Sequence, residues 1–238
     1  HAHVAGRTRN WDPAIGHAML ARAGTTTVID MAGTGPSLVD GIKRRGAGLN
    51  VGGMMALIKG STIPQCSISK ANITDAIASS LSQGCLGVKI LGGYQPFSTE
   101  ITTQIIESAN DQAAYVAIHI GSETAGSHIG GLRELPDILS NGRIHVCHIN
   151  SYCRGVVDDA DLECKEALSI LSELTGQINS ESYNAVQNGT SGSCNRNGEA
   201  SSDVLRNCLK LGNFEPNIDG VRSAIREGFA SVISQKNE

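Results

Sequence analysis

The sequence predicts an α/β fold in which parallel strands alternate with helices. Short apolar runs rich in valine and isoleucine recur along the 238 residues. They are near-continuous rather than alternating, which is typical of parallel strands buried on both faces. Four of them begin at residues 86, 115, 144 and 176, and the spacings of 29, 29 and 32 residues match one strand–helix unit. Because helical patterns fill the intervals, the units repeat without a change of type.

The individual elements follow in chain order. Strands are predicted at residues 25–31, 50–58, 86–91, 115–120, 144–149 and 176–180. The first helix opens at Asp12 and Pro13, a capping residue followed by the first helical position that proline fits, and it closes at Gly24. A second begins at residues 98–101, and further helices are predicted at 132–139, 161–174, 201–211 and 220–229. The Gly/Ser/Asn-rich residues 187–199 are predicted to form an active-site loop or flap.

Composition excludes several classes of function. The net charge of -4, from 19 basic and 23 acidic residues, provides no basic stripe for nucleic acid. No apolar run approaches the roughly 20 residues of a membrane span, so no membrane association is expected. The seven cysteines are odd in number and form no Cys-x-x-Cys pair. This pattern favours free thiols in a reducing compartment, and we expect a cytoplasmic protein.

Five residues carry the candidate chemistry, namely His1, His3, Lys89, His119 and His148. Residues i and i+2 of a strand point to one side, so His1 and His3 can bind one ion together if that segment is extended. His119 and His148 fall near the carboxyl ends of their strands, where an α/β barrel carries its active site. Neutral imidazoles are standard zinc ligands. The sequence therefore predicts a metal site at this end of the fold.

Lys89 is the most diagnostic of the five, because it lies between Val88 and Ile90 in an apolar strand. A buried ammonium is costly, and desolvation lowers the pKa of the amine. The neutral amine can react with CO₂ to give a carbamate, whose two oxygens are able to bridge two metal ions. Structural alternatives stay open: a snorkelling Lys89, histidines that only support the fold, and a solvated terminal pair. The matching positions in successive strand–helix units favour the metal site.

Together these motifs resemble the amidohydrolase superfamily of metal-dependent hydrolases, in particular its dihydroorotase, hydantoinase and N-acyl-D-amino-acid deacylase members. The motifs that carry the resemblance are residues 1–3, 24–30, 87–89, 117–119 and 147–151. Their order and spacing match the binuclear members, and the resemblance covers about residues 1–185. It implies a TIM-type (β/α)8 barrel over residues 1–238. We expect that barrel to be incomplete, with about seven strands, to be cut at both ends and to lack the accompanying β-sandwich.

The resemblance also implies a site with two divalent metal ions, expected to be zinc. His1 and His3 would bind the first ion, His119 and His148 the second, and a carboxylated Lys89 would bridge them. A metal-bridging hydroxide would then hydrolyse a C–N bond of a small-molecule amide, either a cyclic amide or an N-acyl amino acid. The substrate contacts are expected at Tyr94, Ser122, Asn150, Tyr152 and Arg154. A homo-oligomer is plausible, since an incomplete barrel must cover its edges.

One expected residue has no counterpart in the sequence. Family members usually carry an aspartate at the end of the eighth strand, yet Asp203 lies in a helical pattern and Asp219 in a turn. The proton-shuttling residue is therefore unassigned. The alternative function is a catalytically inactive barrel that acts as a binding or structural module. His145 is interpreted as structural, and His17 and His128 as helix or loop residues.

Overall fold

The computed structural model describes residues 2–4, 13–183, 190 and 192–231. It contains one parallel sheet whose strands neighbour one another in chain order. The strands are β1 (Thr27–Asp30), β2 (Asn50–Ala56), β3 (Gly87–Leu91), β4 (Tyr115–His119), β5 (Ile144–Val146) and β6 (Ile178–Ser180). Ala2 pairs in parallel with Asp30, next to β1. The sheet is a curled half-barrel with alternating helices, so the prediction of an incomplete TIM-type α/β barrel is confirmed.

Helices follow the strands along the chain. They are α1 (Pro13–Arg22), α2 (Gly35–Arg45), α3 (Lys70–Ser82), α4 (Thr99–Asp111), α5 (Ile129–Arg133), α6 (Leu135–Leu139), α7 (Ala160–Glu173), α8 (Asp203–Leu211) and α9 (Ile218–Arg226), with a 3₁₀ turn at Ile149–Tyr152. The single helix predicted at 132–139 is divided between α5 and α6 in the structure. A second helix begins there because Pro136 fits a first helical turn but not a helix interior.

Two helices, α2 and α3, escaped the sequence analysis. The glycines and the proline of α2 resemble turn residues, but Pro36 fits a first helical turn and Leu38 is buried. In α3, Ile73 and Ile77 are four residues apart and wholly buried, which anchors a helix whose other residues are mostly small and polar. Burial of Leu38, Ile73 and Ile77 against the rest of the fold, and not the local sequence pattern, explains why both segments are helical.

Strand alternation divides the side chains between two faces of the sheet. Val88, Ile90, Val116, Ile118 and Val146 belong to the large core between the sheet and the helices. Ala117 and Cys147 belong to a smaller cluster inside the barrel, with Met31 and Met54. Lys89 is paired in register with Ala117, and Ala117 with His145, so these three residues occupy one level of the interior.

The chain after β6 packs as a separate small core. Helices α8 and α9 pack against each other, and the segment before α8 joins this contact. The buried residues of this small core are Ala200, Leu205, Leu209 and Ala224. The apolar pattern of residues 229–234 is compatible with a strand, but residues 229–231 form none, and residues 232–234 lie outside the described residues. Within the described ranges, no helix combines the length and the apolarity that crossing a membrane requires.

Candidate active site

The segment around His3 is fixed to the edge of the sheet. The N–H of Ala2 donates to the carbonyl of Ile29 at 2.9 Å, and the N–H of Met31 donates to the carbonyl of Ala2 at 2.8 Å. The buried carboxylate of Asp30 accepts from the N–H of Val4 at 3.1 Å. His3 is thereby held beside the end of β1, whereas His1 lies outside the described residues.

His119 and His148 come together from neighbouring strands. His119 is the last residue of β4, and its ring centroid is 4.7 Å from that of His148. His148 follows β5 with a left-handed backbone, φ +40°, so the predicted strand at 144–149 ends earlier, at Val146. Nε2 of His119 lies 2.7 Å from Oγ of Ser127, and Nδ1 of His148 lies 2.9 Å from Oγ of Ser151. These contacts orient both rings.

Both imidazoles are neutral at neutral pH. Burial, followed by the positive charges of His148, Lys89 and His3, holds the pKa of His119 well below its ordinary value of 6.5. Burial and the charge of Lys89 lower the pKa of His148 to about 4. A neutral imidazole is the form that binds a metal ion.

Lys89 is fully buried beneath the histidines, with 0% of its surface exposed. Its Nζ donates to Sγ of Cys147 at 2.6 Å. Burial lowers the pKa of this amine, against the opposing influence of Cys147, and burial also raises the pKa of the Cys147 thiol. Neutral imidazoles and a buried amine able to take up CO₂ are a donor set that fits divalent ions such as Zn²⁺.

Two of the predicted substrate residues lie directly against the histidine rings. The ring of Tyr94 is 5.3 Å from that of His119. The ring of Tyr152 is 5.6 Å from His119 and 5.5 Å from His148, and it is wholly buried. Its hydroxyl accepts from the N–H of Ile120 at 2.9 Å. Tyr152 thus supports the rings from inside, whereas Tyr94 is only partly buried.

The other predicted substrate residues organise the surrounding loops. Asn150 exchanges two hydrogen bonds with the backbone of Tyr183, at 2.9 and 3.2 Å, and the guanidinium of Arg154 donates to the Tyr183 hydroxyl. The Tyr183 ring is 5.9 Å from that of His148, so these residues border the site. The hydroxyl of Ser122 accepts from the N–H groups of Thr124 and Ala125, which shapes the loop after β4.

Sequence reasoning placed Glu181 and Tyr183 near the pocket but did not bring Glu181 together with His145 and Cys147 inside the barrel. One ligand atom each from His145, Cys147 and Glu181 lies within 4.8 Å of the others, which makes a possible metal site. Glu181 Oε1 also accepts from the N–H of His148 at 3.1 Å. The available signal was strand alternation, because His145 and Cys147 are two residues apart and therefore share the interior side with Lys89. The contact with Glu181 depends on strand pairing and carries no local signal.

The remaining histidines and aspartates occupy supporting positions. His17 lies buried in α1, with Nε2 3.5 Å from Asp30 Oδ2, and His128 caps α5 by accepting from the N–H of Gly130. Asp203 and Asp219 lie in the first turns of α8 and α9, where they pair with Arg206 and Arg222. Both aspartates are thus helical.

No protein-family model matches the sequence, and no curated protein matches it significantly. Among solved structures, the chain is similar to a formyltransferase/hydrolase complex from Methylorubrum extorquens bound to methylofuran, with 17% identity and a TM-score of 0.56 over 76% of this chain and 44% of that one. It is also similar to a D-hydantoinase, with 13% identity and a TM-score of 0.46 over 76% and 45%. For an A. niger ochratoxinase the values are 15% and 0.41 over 94% and 68%. The chain spans less than half the length of the first two, and the first likeness establishes a shared fold.

Proposed function

We propose that this chain carries the metal-binding barrel of an amidohydrolase-superfamily enzyme, which hydrolyses a C–N bond in an amide or cyclic amide. The observation that carries the proposal is the meeting of the His119 and His148 rings, 4.7 Å apart, above the buried amine of Lys89. The three residues come from successive strands and meet at the carboxyl end of a parallel sheet. That end carries the active site in α/β barrels. The shared fold supports the same assignment.

The residues divide into two sets of metal ligands. His1 and His3 would hold one divalent ion, His119 and His148 the other, and a carbamate on Lys89 would bridge them. When bound, such ions supply Lewis acidity toward the scissile carbonyl and toward an attacking water. Ser127 and Ser151 contribute by fixing the orientations of the His119 and His148 rings.

Lys89 would become a carbamate by reaction of its neutral amine with CO₂. The lone pair of Nζ attacks the carbon of CO₂, an N–C bond forms, and one amine proton leaves to solvent. Burial favours the neutral, nucleophilic amine, since the pKa of Lys89 is lowered. The product is an anion, which two divalent cations bound by the neighbouring histidines would stabilise. This chemistry explains why a lysine occupies an otherwise costly position.

Substrate recognition is proposed at the rim of the site. Tyr94 lies against His119, and Arg154 lies close enough to lower the pKa values of both His119 and His148 through its charge. A guanidinium there suits a substrate carboxylate, which it can bind through two parallel hydrogen bonds. We therefore favour an N-acyl amino acid or a cyclic amide that carries a carboxylate.

The test combines spectroscopy with a substrate panel. The full chain is equilibrated with Zn²⁺ and ¹³C-labelled bicarbonate, examined by ¹³C NMR, and assayed on N-acyl amino acids, hydantoins and dihydroorotate. We expect a carbamate signal and hydrolysis of at least one substrate class, and we expect Lys89→Ala to lose both. Lys70→Ala is the matched control, because Lys70 is an exposed lysine at the start of α3.

These measurements also distinguish a hydrolase from the alternative, a catalytically inactive barrel. Bound metal and a carbamate without hydrolysis of any substrate would instead favour a binding or structural module. A folded protein that binds no Zn²⁺ and shows no carbamate would refute the proposed site.

A further inference from the structure

We propose that the barrel interior holds an additional cation site, formed by His145, Cys147 and Glu181, which binds one thiophilic divalent cation such as Zn²⁺. We call these residues the interior cluster. None of them belongs to the ligand sets proposed above, so this inference does not rest on the hydrolase function. The three side chains offer one imidazole nitrogen, one thiol sulfur and one carboxylate oxygen. Nitrogen and sulfur ligands with a carboxylate are the set that zinc prefers.

The backbone brings the interior cluster together. His145 lies on β5 with its side chain directed inward, and Cys147 follows two residues later on the same side. β6 pairs with β5 so that Asn179 is opposite His145, and Glu181 therefore emerges opposite Cys147. The three ligand atoms all lie within 4.8 Å of one another. Ligand atoms of a tetrahedral zinc ion lie roughly 3–4 Å apart, so small side-chain rotations suffice to enclose one.

The surroundings of His145 are compatible with a bound cation. Its Nδ1 lies 2.6 Å from Oδ1 of Asn179, and its Nε2 is in contact with Oε2 of Glu181. A metal ion bound by Nε2, this carboxylate and the nearby sulfur of Cys147 would leave Nδ1–H free to donate to Asn179. Such an outer contact commonly orients a metal-binding histidine.

The charge of the interior cluster and its access to solvent both suit a bound metal ion. Coordination releases the thiol proton to solvent, so the thiolate and the carboxylate together carry two negative charges against one divalent cation. Nζ of Lys89, 2.6 Å from Sγ of Cys147, is placed to donate to that thiolate. Cys147 is buried, but the side chains of His145 and Glu181 are 27% and 29% exposed. An ion can therefore enter from their side.

Cobalt spectroscopy tests the interior cluster independently of catalysis. The full chain is stripped with a chelator and titrated with Co²⁺, and the near-ultraviolet thiolate-to-cobalt charge-transfer band is recorded. We expect one equivalent to produce the band and Zn²⁺ to abolish it by competition. Cys147→Ser should remove the band, and Cys164→Ser, which alters an exposed cysteine, should retain it. His145→Gln changes a partly exposed residue and should weaken Co²⁺ binding at this site at least about tenfold.

Several results of this titration would contradict the interior cluster. An unchanged band in Cys147→Ser, or the same Co²⁺ affinity in His145→Gln, would overturn the interior cluster. Absence of any band in the wild-type chain, with native circular dichroism, would likewise overturn the interior cluster. If Cys147→Ser does not fold, His145→Gln decides alone. His119→Asn should leave the band intact, so a failure of the proposed hydrolase site is distinguishable from a failure here.

Discussion

Replacing Lys89 with methionine should stabilise the metal-free protein. The side chain of Lys89 is 0% exposed, and its hydrogen-bond partner is the weak acceptor Sγ of Cys147. A buried polar group that is poorly paired costs about 1–3 kcal/mol, and methionine has nearly the same shape without that cost. We therefore expect Lys89→Met to raise the free energy of unfolding by about 1–3 kcal/mol. In a chain of this size that raises Tm by about 2–4 °C for each kcal/mol.

The pH dependence of this gain follows from the direction of the pKa shift. Burial lowers the pKa of Lys89 in the folded state below 10.5, so between the two pKa values the unfolded chain binds more protons. Wild-type stability therefore recovers as pH rises from the folded pKa toward 10.5, and the advantage of Lys89→Met shrinks over the same window. Below the folded pKa the advantage is fully present.

The assay is urea unfolding of the chelator-treated wild type, Lys89→Met and the exposed control Lys70→Met at several pH values. The control should change stability by less than about 0.5 kcal/mol. A destabilised Lys89→Met, or a gain that does not shrink with rising pH, would refute the account of Lys89 as a costly residue kept for its chemistry.

The other predictions concern Glu163, Tyr152 and His148. Glu163 is wholly buried and accepts from the N–H groups of Gly155, Val157 and Asp158, at 2.7, 2.9 and 3.0 Å, so Glu163→Gln should cost about 2–4 kcal/mol in urea unfolding. An effect below about 0.5 kcal/mol would contradict that role. Tyr152→Phe leaves a buried N–H unpaired and should cost about 1–3 kcal/mol by thermal unfolding, with near-wild-type stability as the contrary result. Because the pKa of His148 is about 4, its ring stays unprotonated as the pH falls below 6.5. If His148 binds Zn²⁺ as proposed, Zn²⁺ retention measured against pH should fall near 4 rather than near 6.5. In the metal-free protein the same lowered pKa makes stability decline as pH falls from 6.5 toward 4, because the unfolded chain takes up the proton first.

Local sequence patterns were sufficient to predict the parallel sheet and the meeting of Lys89, His119 and His148 toward its carboxyl edge. The apolar runs around Lys89, His119 and His148 are strands or strand ends in the structure, and their side chains meet because equivalent positions of successive units face one interior. Strand length was less predictable: the run at 144–149 stops at Val146, because His148 adopts a left-handed backbone. No local pattern signals that conformation.

Contacts between distant residues account for what the sequence left out. Sγ of Cys147 is the partner of Lys89 across 58 residues, and Glu181 reaches the backbone of His148 across 33 residues. Each contact depends on strand register, which a single sequence without local turn signals does not specify. The structural interpretation of His145 followed from considering its strand alone, whereas β6 supplies Glu181 and Asn179 around its ring.

The most direct measurement is the Zn²⁺ content of the folded chain, wild type against Lys89→Met, after dialysis against Zn²⁺ and then against metal-free buffer. We expect the wild type to retain the ions held around His119, His148 and the carbamate of Lys89, and we expect Lys89→Met to lose them while staying folded. Equal Zn²⁺ content in the two proteins would contradict the claim that Lys89 is a metal-bridging residue.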